Sequence, residues 1–236
     1  MRKIGQLLRY KNEEGGNILK VADGLEIMNL LNRIRDYDSS LFAHSLHVCE
    51  LSMRIAEHMN LDRTTCEELY IAALLHDYGK IYYPKIFLFK QGRFTDKERT
   101  LVQMHVDFGV QRLQECGCIS QKVIEGIRQH HECLDGTGYP VGTKDLGVLG
   151  RIIGVADIYD ALTQRRCYKG AYPVALSIQM LKDNGGKKYD DKVVDALECV
   201  LAEGLDYSDI DKFISSDSDN SRPNYSACPS KIQHSE

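Results

Sequence analysis

Seven histidines and aspartates fall on apolar helix faces or at the ends of apolar helices in this sequence: His44, His76, Asp77, His105, His130, His131 and Asp157. His44 shares a face with Val48, Leu51 and Ile55 at helical steps. The uncharged run LYIAALL delivers His76 and Asp77, and Asp157 is embedded in IIGVADIYDAL on the side of Ile153 and Ala161. His105 closes TLVQMH, and His130 and His131 follow Val123, Ile124 and Ile127. Taken singly, each has an ordinary reading, a hydrogen-bonded core histidine or an aspartate that caps or pairs. Together they account for five of the eight histidines in the chain. An ionised carboxylate buried alone costs several kcal/mol, roughly, so these acids call for a cation. Imidazole nitrogens with carboxylate oxygens suit a first-row transition metal. Seven donors exceed what one hydrolytic ion uses, since such an ion keeps a position open for water, so the set points to two ions.

Other residues nearby could handle a substrate. Lys80, one turn beyond His76, can bind a phosphate oxygen, assist a leaving group, or only cap the carbonyls of its helix end. Arg166 and Lys169, at i and i+3, face the same way on a helical turn and could hold a phosphate or form a solvated patch. Tyr139, in the glycine-rich stretch DGTGYP, can stack on a base or pack the loop. Glu132 and Asp135 are candidates to support the histidines or to solvate the loop. His47 and His58 lie off the His44 face and carry no such claim.

Positioning these groups requires helices. Apolar residues recur at helical spacing over 43–58, 65–78, 96–115, 120–131, 151–164, 173–184 and 191–203, with no sustained alternation between hairpin turns, which predicts an all-α fold. Asp62 with Thr64 and Thr65 can cap the second of these, Thr95 with Glu98 forms a capping box for the third, and Gly79 can close the second. The long connection 132–150 fits a functional loop. Residues 1–36 read as an N-terminal helical extension, 37–205 as the main domain, and 206–236 as a polar tail expected to be disordered from about Ser215.

The 236 residues fit one ordinary domain, and the net charge of -4 leaves no broad basic surface for a long nucleic acid. The N-terminus lacks a secretory pattern and no apolar run is long enough for membrane insertion, so a cytoplasmic protein is expected. The eight cysteines are scattered and read as reduced thiols, with Cys116 and Cys118 the only close pair.

HDYGK at 76–80 resembles the HD core of metal-dependent phosphohydrolases, and HHECLDGTGYP at 130–140 resembles the extension that defines their HD-GYP subfamily. The likeness continues through HSLHV, QMHVDFG, RIIGVADIYDALT and RCYK, over residues 37–200. The resemblance implies an all-α HD-domain helical bundle with a long GYP-type loop. It further implies a cyclic dinucleotide phosphodiesterase, acting on cyclic di-GMP or a related molecule through a hydroxide bridging two divalent transition-metal ions. Iron or manganese fits best, with magnesium, nickel, cobalt or zinc as substitutes. Carried over by position, His44, His76, Asp77 and Asp157 hold one ion and His105, His130 and His131 the other, with Asp77 bridging. Asp77 and Lys80 become the catalytic residues; Lys80, Tyr139, Arg166 and Lys169 become the substrate contacts.

The chain also departs from the family pattern. Ser40 stands where members with a third metal carry a glutamate, which favours two ions. RRCYK replaces the usual DRPYR, keeping both cations while Arg165 and Cys167 replace an acid and a proline. Two further functions stay open: a cyclic-dinucleotide receptor or scaffold without turnover, and an HD phosphohydrolase acting on other nucleotides. A second copy of the chain or a signalling protein would fit as a macromolecular partner.

Overall fold

The computed structural model describes residues 21–87, 90, 92–164 and 171–217. Arg166, Lys169 and Cys167 lie outside the described residues, as does the tail beyond Asp217. Among the described residues ten α-helices follow one another: α1 Val21–Tyr37, α2 Ser39–His58, α3 Arg63–Leu75, α4 Asp96–Gln103, α5 His105–Cys116, α6 Gln121–Gln129, α7 Val148–Thr163, α8 Val174–Lys182, α9 Asp191–Ala202 and α10 Ser208–Asp217. Two short 3-10 turns, Tyr78–Tyr82 and Lys85–Phe87, lie between α3 and α4. No strand occurs among the described residues, only an isolated bridge between Gly185 and Tyr189, so the all-α expectation holds. No helix among them is long and apolar enough to cross a membrane.

The second helix is the axis of the bundle, touching α1, α3, α7, α9 and α10. Its buried residues, Leu46, Val48, Leu51, Ile55 and others, occupy more than one face because neighbours surround it. Asp38 caps its start, accepting from the Ser40 and Leu41 amides at 2.9 Å each. Asp62 caps α3 through the Thr65 amide, and Thr95 with Glu98 forms the expected capping box at α4. Ile27, Leu30, Leu31 and Ile34 of α1, at i, i+3, i+4 and i+7, are buried in the same core as the rest. Thus α1 packs into the same core as the helices that follow it.

Four expectations need correction. Gly79 does not close α3, which ends at Leu75 with His76 as its cap; Gly79 lies in the following 3-10 turn. The helix expected over 96–115 is divided at Met104, whose amide is shared between the Thr100 and Leu101 carbonyls at 3.2 Å in a tight turn. Part of the expected polar tail is the helix α10, because Ile210 and Ile214 find the core to pack against. Cys116 and Cys118 form a disulfide rather than two thiols. Gly117, in the left-handed region at φ 65°, turns the chain so that their Cα atoms are 5.5 Å apart. Among the described cysteines, Cys49, Cys66, Cys133 and Cys199 are free.

Candidate metal centre

The site is assembled at helix ends. The last carbonyls of a helix have no partner within it, and three histidines use them. His76 Nδ1 lies 2.7 Å from the Ala73 carbonyl at the end of α3, His105 Nδ1 2.8 Å from Val102 at the end of α4, and His130 Nδ1 2.6 Å from Ile127 at the end of α6. A carbonyl can only accept, so Nδ1 carries the proton in each ring and Nε2 is left with its lone pair. Each of these Nε2 atoms lies within 4.0 Å of the Asp77 carboxylate. One local rule, a histidine just past the last turn, thus orients three side chains at a common point.

Asp77 stands at that point with two separate groups around it. Its Oδ2 is 3.5 Å from both His44 Nε2 and His76 Nε2, while its Oδ1 is 3.3 Å from His105 Nε2 and 4.0 Å from His130 Nε2. The potential ligand atoms divide accordingly into His44, His76 and Asp77 on one side and Asp77, His105, His130 and His131 on the other. Asp157 reaches from α7 to both, with Oδ1 3.0 Å from His44 Nε2 and Oδ2 3.7 Å from His131 Nδ1. All seven side chains singled out in the sequence are therefore in one place. Lys80 Nζ donates to Asp77 Oδ2. The Tyr139 ring lies 4.6 Å from that of His131 and 6.3 Å from that of His105.

The arrangement of the first 3-10 turn against α5 depends on a close backbone approach. A Cβ on Gly79 would stand 1.9 Å from the His105 carbonyl oxygen and 2.7 Å from the Gly109 amide nitrogen. Only glycine lets the 3-10 turn after Asp77 touch the first turn of α5, and so places His105 beside Asp77. The GYP-type loop is fixed from within. Glu132, buried, accepts from the Val141 and Gly142 amides at 2.7 and 2.9 Å, and the Tyr139 amide donates to the His131 carbonyl at 3.2 Å. Asp135 accepts from the Thr137 amide at 2.9 Å. Glu132 and Asp135 thus bind loop backbone; the structure shows neither bonded to a histidine.

Burial and charge explain the ionisation of the centre. Burial pulls His76 down, and pulls His130 well below its ordinary value with help from the neighbouring imidazoles. Burial also brings His131 down to about 3 against the pull of Asp157. These rings are neutral at neutral pH, as a ligand must be. Burial pushes the Asp77 and Asp157 carboxyls up. It is outweighed at Asp77 by Lys80 and three histidines, and at Asp157 by His44, His131 and His76, so both stay well below the carboxylate range. Burial likewise works against charge on His44, yet Asp157, Asp160 and Asp77 together raise it well above its ordinary value.

The donor set fits divalent ions, on one observation in particular. His44 Nε2, His76 Nε2 and Asp77 Oδ1 are buried without a hydrogen-bond partner; the 3.0 Å approach of Asp157 to His44 is not aligned as one. Buried polar atoms are rarely left so, and two imidazole nitrogens converging on a carboxylate that itself has an unpartnered oxygen mark a place for cations.

Sequence reasoning missed Asp160 and His47. Asp160 Oδ2 accepts from His44 Nδ1 at 2.7 Å, and His47, only 5% exposed, lies 3.6 Å from Asp160 Oδ1. The signal for Asp160 was present in IIGVADIYDAL, where a second acid follows Asp157 on an apolar helix.

An all-α bundle with a histidine–aspartate cluster at its helix ends is the class of protein defined here. Residues 28–193 match the HD domain model, and the chain belongs to the HD-domain family. With its HD and HHExxDGxGYP motifs and the relatives that follow, it is a member of the HD-GYP subfamily. The cyclic di-GMP phosphodiesterase PA4108 of Pseudomonas aeruginosa is 36% identical over 158 residues, 66% of this chain and 38% of that protein. A cyclic di-GMP phosphodiesterase of Thermotoga maritima is 37% identical over 175 residues, 73% of this chain and 47% of its own. The 3'3'-cGAMP-specific phosphodiesterase 1 of Vibrio cholerae is 35% identical over 157 residues, 65% of this chain and 36% of its own. The chain spans less than half the length of each of these relatives. Among solved structures, Bd1817, an HDG"Y"P protein from Bdellovibrio bacteriovorus, has the same fold, with a TM-score of 0.59 at 20% identity over 85% of this chain and 78% of that one. The HD domain of the Listeria monocytogenes phosphodiesterase PgpH, solved with cyclic-di-AMP, gives 0.58 at 18% identity over 84% of this chain and 100% of that one.

Proposed function

We propose that this chain hydrolyses a phosphodiester bond of a cyclic dinucleotide, cyclic di-GMP foremost, with two divalent transition-metal ions, iron or manganese. The observation that carries the reading is the Asp77 carboxylate, whose two oxygens each face a separate group of histidines. His44, His76, Asp77 and Asp157 would hold one ion, and His105, His130 and His131 the other, with Asp77 shared. When bound, such ions lower the pKa of water toward neutrality and neutralise charge on the attacked phosphoryl group.

The chain's own groups would do the rest. Lys80 keeps Asp77 ionised and in a fixed plane, and its ammonium is the cation nearest a phosphoryl oxygen or a leaving alkoxide. Tyr139, beside His131, offers a ring face to a base or ribose at the mouth of the site. Arg166 and Lys169 are assigned to a substrate phosphate on the sequence resemblance alone. The named activities of the relatives, on cyclic di-GMP and on 3'3'-cGAMP, support the substrate class.

Purified protein with its metals counted, incubated with cyclic di-GMP, 3'3'-cGAMP, cyclic di-AMP and simple nucleotides, tests this directly. Linear dinucleotide or mononucleotide product from a cyclic dinucleotide is the expected result. Binding without cleavage, with the metals both reduced and oxidised, would instead make the chain a receptor. Asp77→Ala is expected to abolish turnover with the fold intact, and near-normal activity in that variant refutes the shared-carboxylate centre.

A further inference from the structure

His76, His105 and His130 are each oriented by a free carbonyl at a helix end, but His44 has no such recourse. It is an interior residue of the 20-residue helix α2, where the carbonyls three and four positions back belong to the helix ladder. Its Nδ1 is held instead by a side chain, Asp160 Oδ2 at 2.7 Å. The other oxygen of Asp160 accepts from Gln164 Nε2 at 3.3 Å and faces His47 Nδ1 at 3.6 Å. His47 Nε2 is in turn 3.2 Å from Asp211 Oδ1 of α10, and its ring lies 4.4 Å from that of Tyr207, just before α10. Asp160 is 1% exposed and His47 5%, so the bond from His44 to Asp160 acts in a desolvated setting, while the Asp211 side chain is 64% exposed.

We propose that Asp160 and His47 are positioning residues that tie α10 to the metal centre. Asp160 fixes the His44 ring with Nδ1 protonated and Nε2 directed at Asp77 and Asp157, and His47, which Gln164 Nε2 joins to Asp160 at 3.4 and 3.3 Å, links that carboxylate to Asp211. Two features that the sequence reading set aside, His47 and the stretch after residue 205, are thereby parts of the site's support. The inference rests on the reading of His44 as a metal ligand. It assigns α10 a role in holding one ion and none in holding the other, because among the described residues no such chain leads to His105, His130 or His131.

The test is a metal titration of the whole chain with Mn2+ and Co2+, followed by calorimetry and by the visible absorption of the cobalt form. Asp160→Ala is expected to weaken one of the two ions by about 10–100-fold, with the cobalt spectrum of that ion altered and the other ion unchanged. Asp160→Asn, which keeps an acceptor for Nδ1, recovers most of the loss. His47→Gln and Asp211→Asn shift the same ion by about two- to fivefold, and neither adds to the loss in Asp160→Ala. Equal weakening of both ions, or unchanged affinity in Asp160→Ala, overturns the proposal. A wild-type chain that holds two ions and cleaves no cyclic dinucleotide defeats the functional reading while leaving this test readable. One that takes up no ion defeats both.

Discussion

The carboxylate of Asp77 is buried among imidazoles with one ammonium, and that setting decides both its charge and its orientation. Lys80 contributes to each. Replacing it with methionine removes the nearest cation and the hydrogen bond that holds Oδ2, while leaving every ligand atom in place. We expect Lys80→Met to lower kcat by about 10²–10³-fold with metal content retained. A kcat within about twofold of wild type would reduce Lys80 to a cap on its helix end. The sequence made the seven ligand candidates readable because their types contradict the apolar faces on which they fall. It did not make Asp160 readable in the same way, since a second acid one turn after Asp157 looks like more of the same signal. His47 was misplaced for a different reason. Periodicity assigns a helix one buried face, and α2 is enclosed by five other helices.

At the level of elements, the contact between the 3-10 turn and α5 sets the distance from Asp77 to His105. Gly79→Ala would force that contact open. We expect a loss of about 1–3 kcal/mol in denaturant unfolding, together with a fall in metal content toward one ion as His105 withdraws. Unchanged stability and two retained ions would show that the turn can yield without moving the ligand. Most of the helices were legible from periodicity and caps, with Asp62 and the Thr95–Glu98 box acting as expected. Their ends were not. Where a histidine ring takes the final carbonyl, as at Ala73, Val102 and Ile127, the helix stops short of its apolar pattern. Gly79 was read as a terminator because its use, allowing two backbones to touch, depends on a segment distant in sequence.

For the whole molecule, the ligand candidates span residues 44 to 157 and come from several elements far apart in the chain. Ions bound among them act as cross-links that the unfolded chain lacks. Chelation is expected to lower Tm by the equivalent of about 2.7 kcal/mol for each ion present at 100 times its Kd. A melting curve indifferent to chelator and to added Mn2+ would contradict a structural share for the metals.

The three rings bonded to final-turn carbonyls have one more consequence, for local opening rather than for global stability. A helix end normally frays, and each fraying event at α3, α4 or α6 would release a ring from its carbonyl and swing Nε2 away from Asp77. Metal occupancy and the closed state of these ends are therefore a single equilibrium. Amide hydrogen exchange should slow at all three ends when ions bind, while other helix ends, such as that of α9, keep their rate.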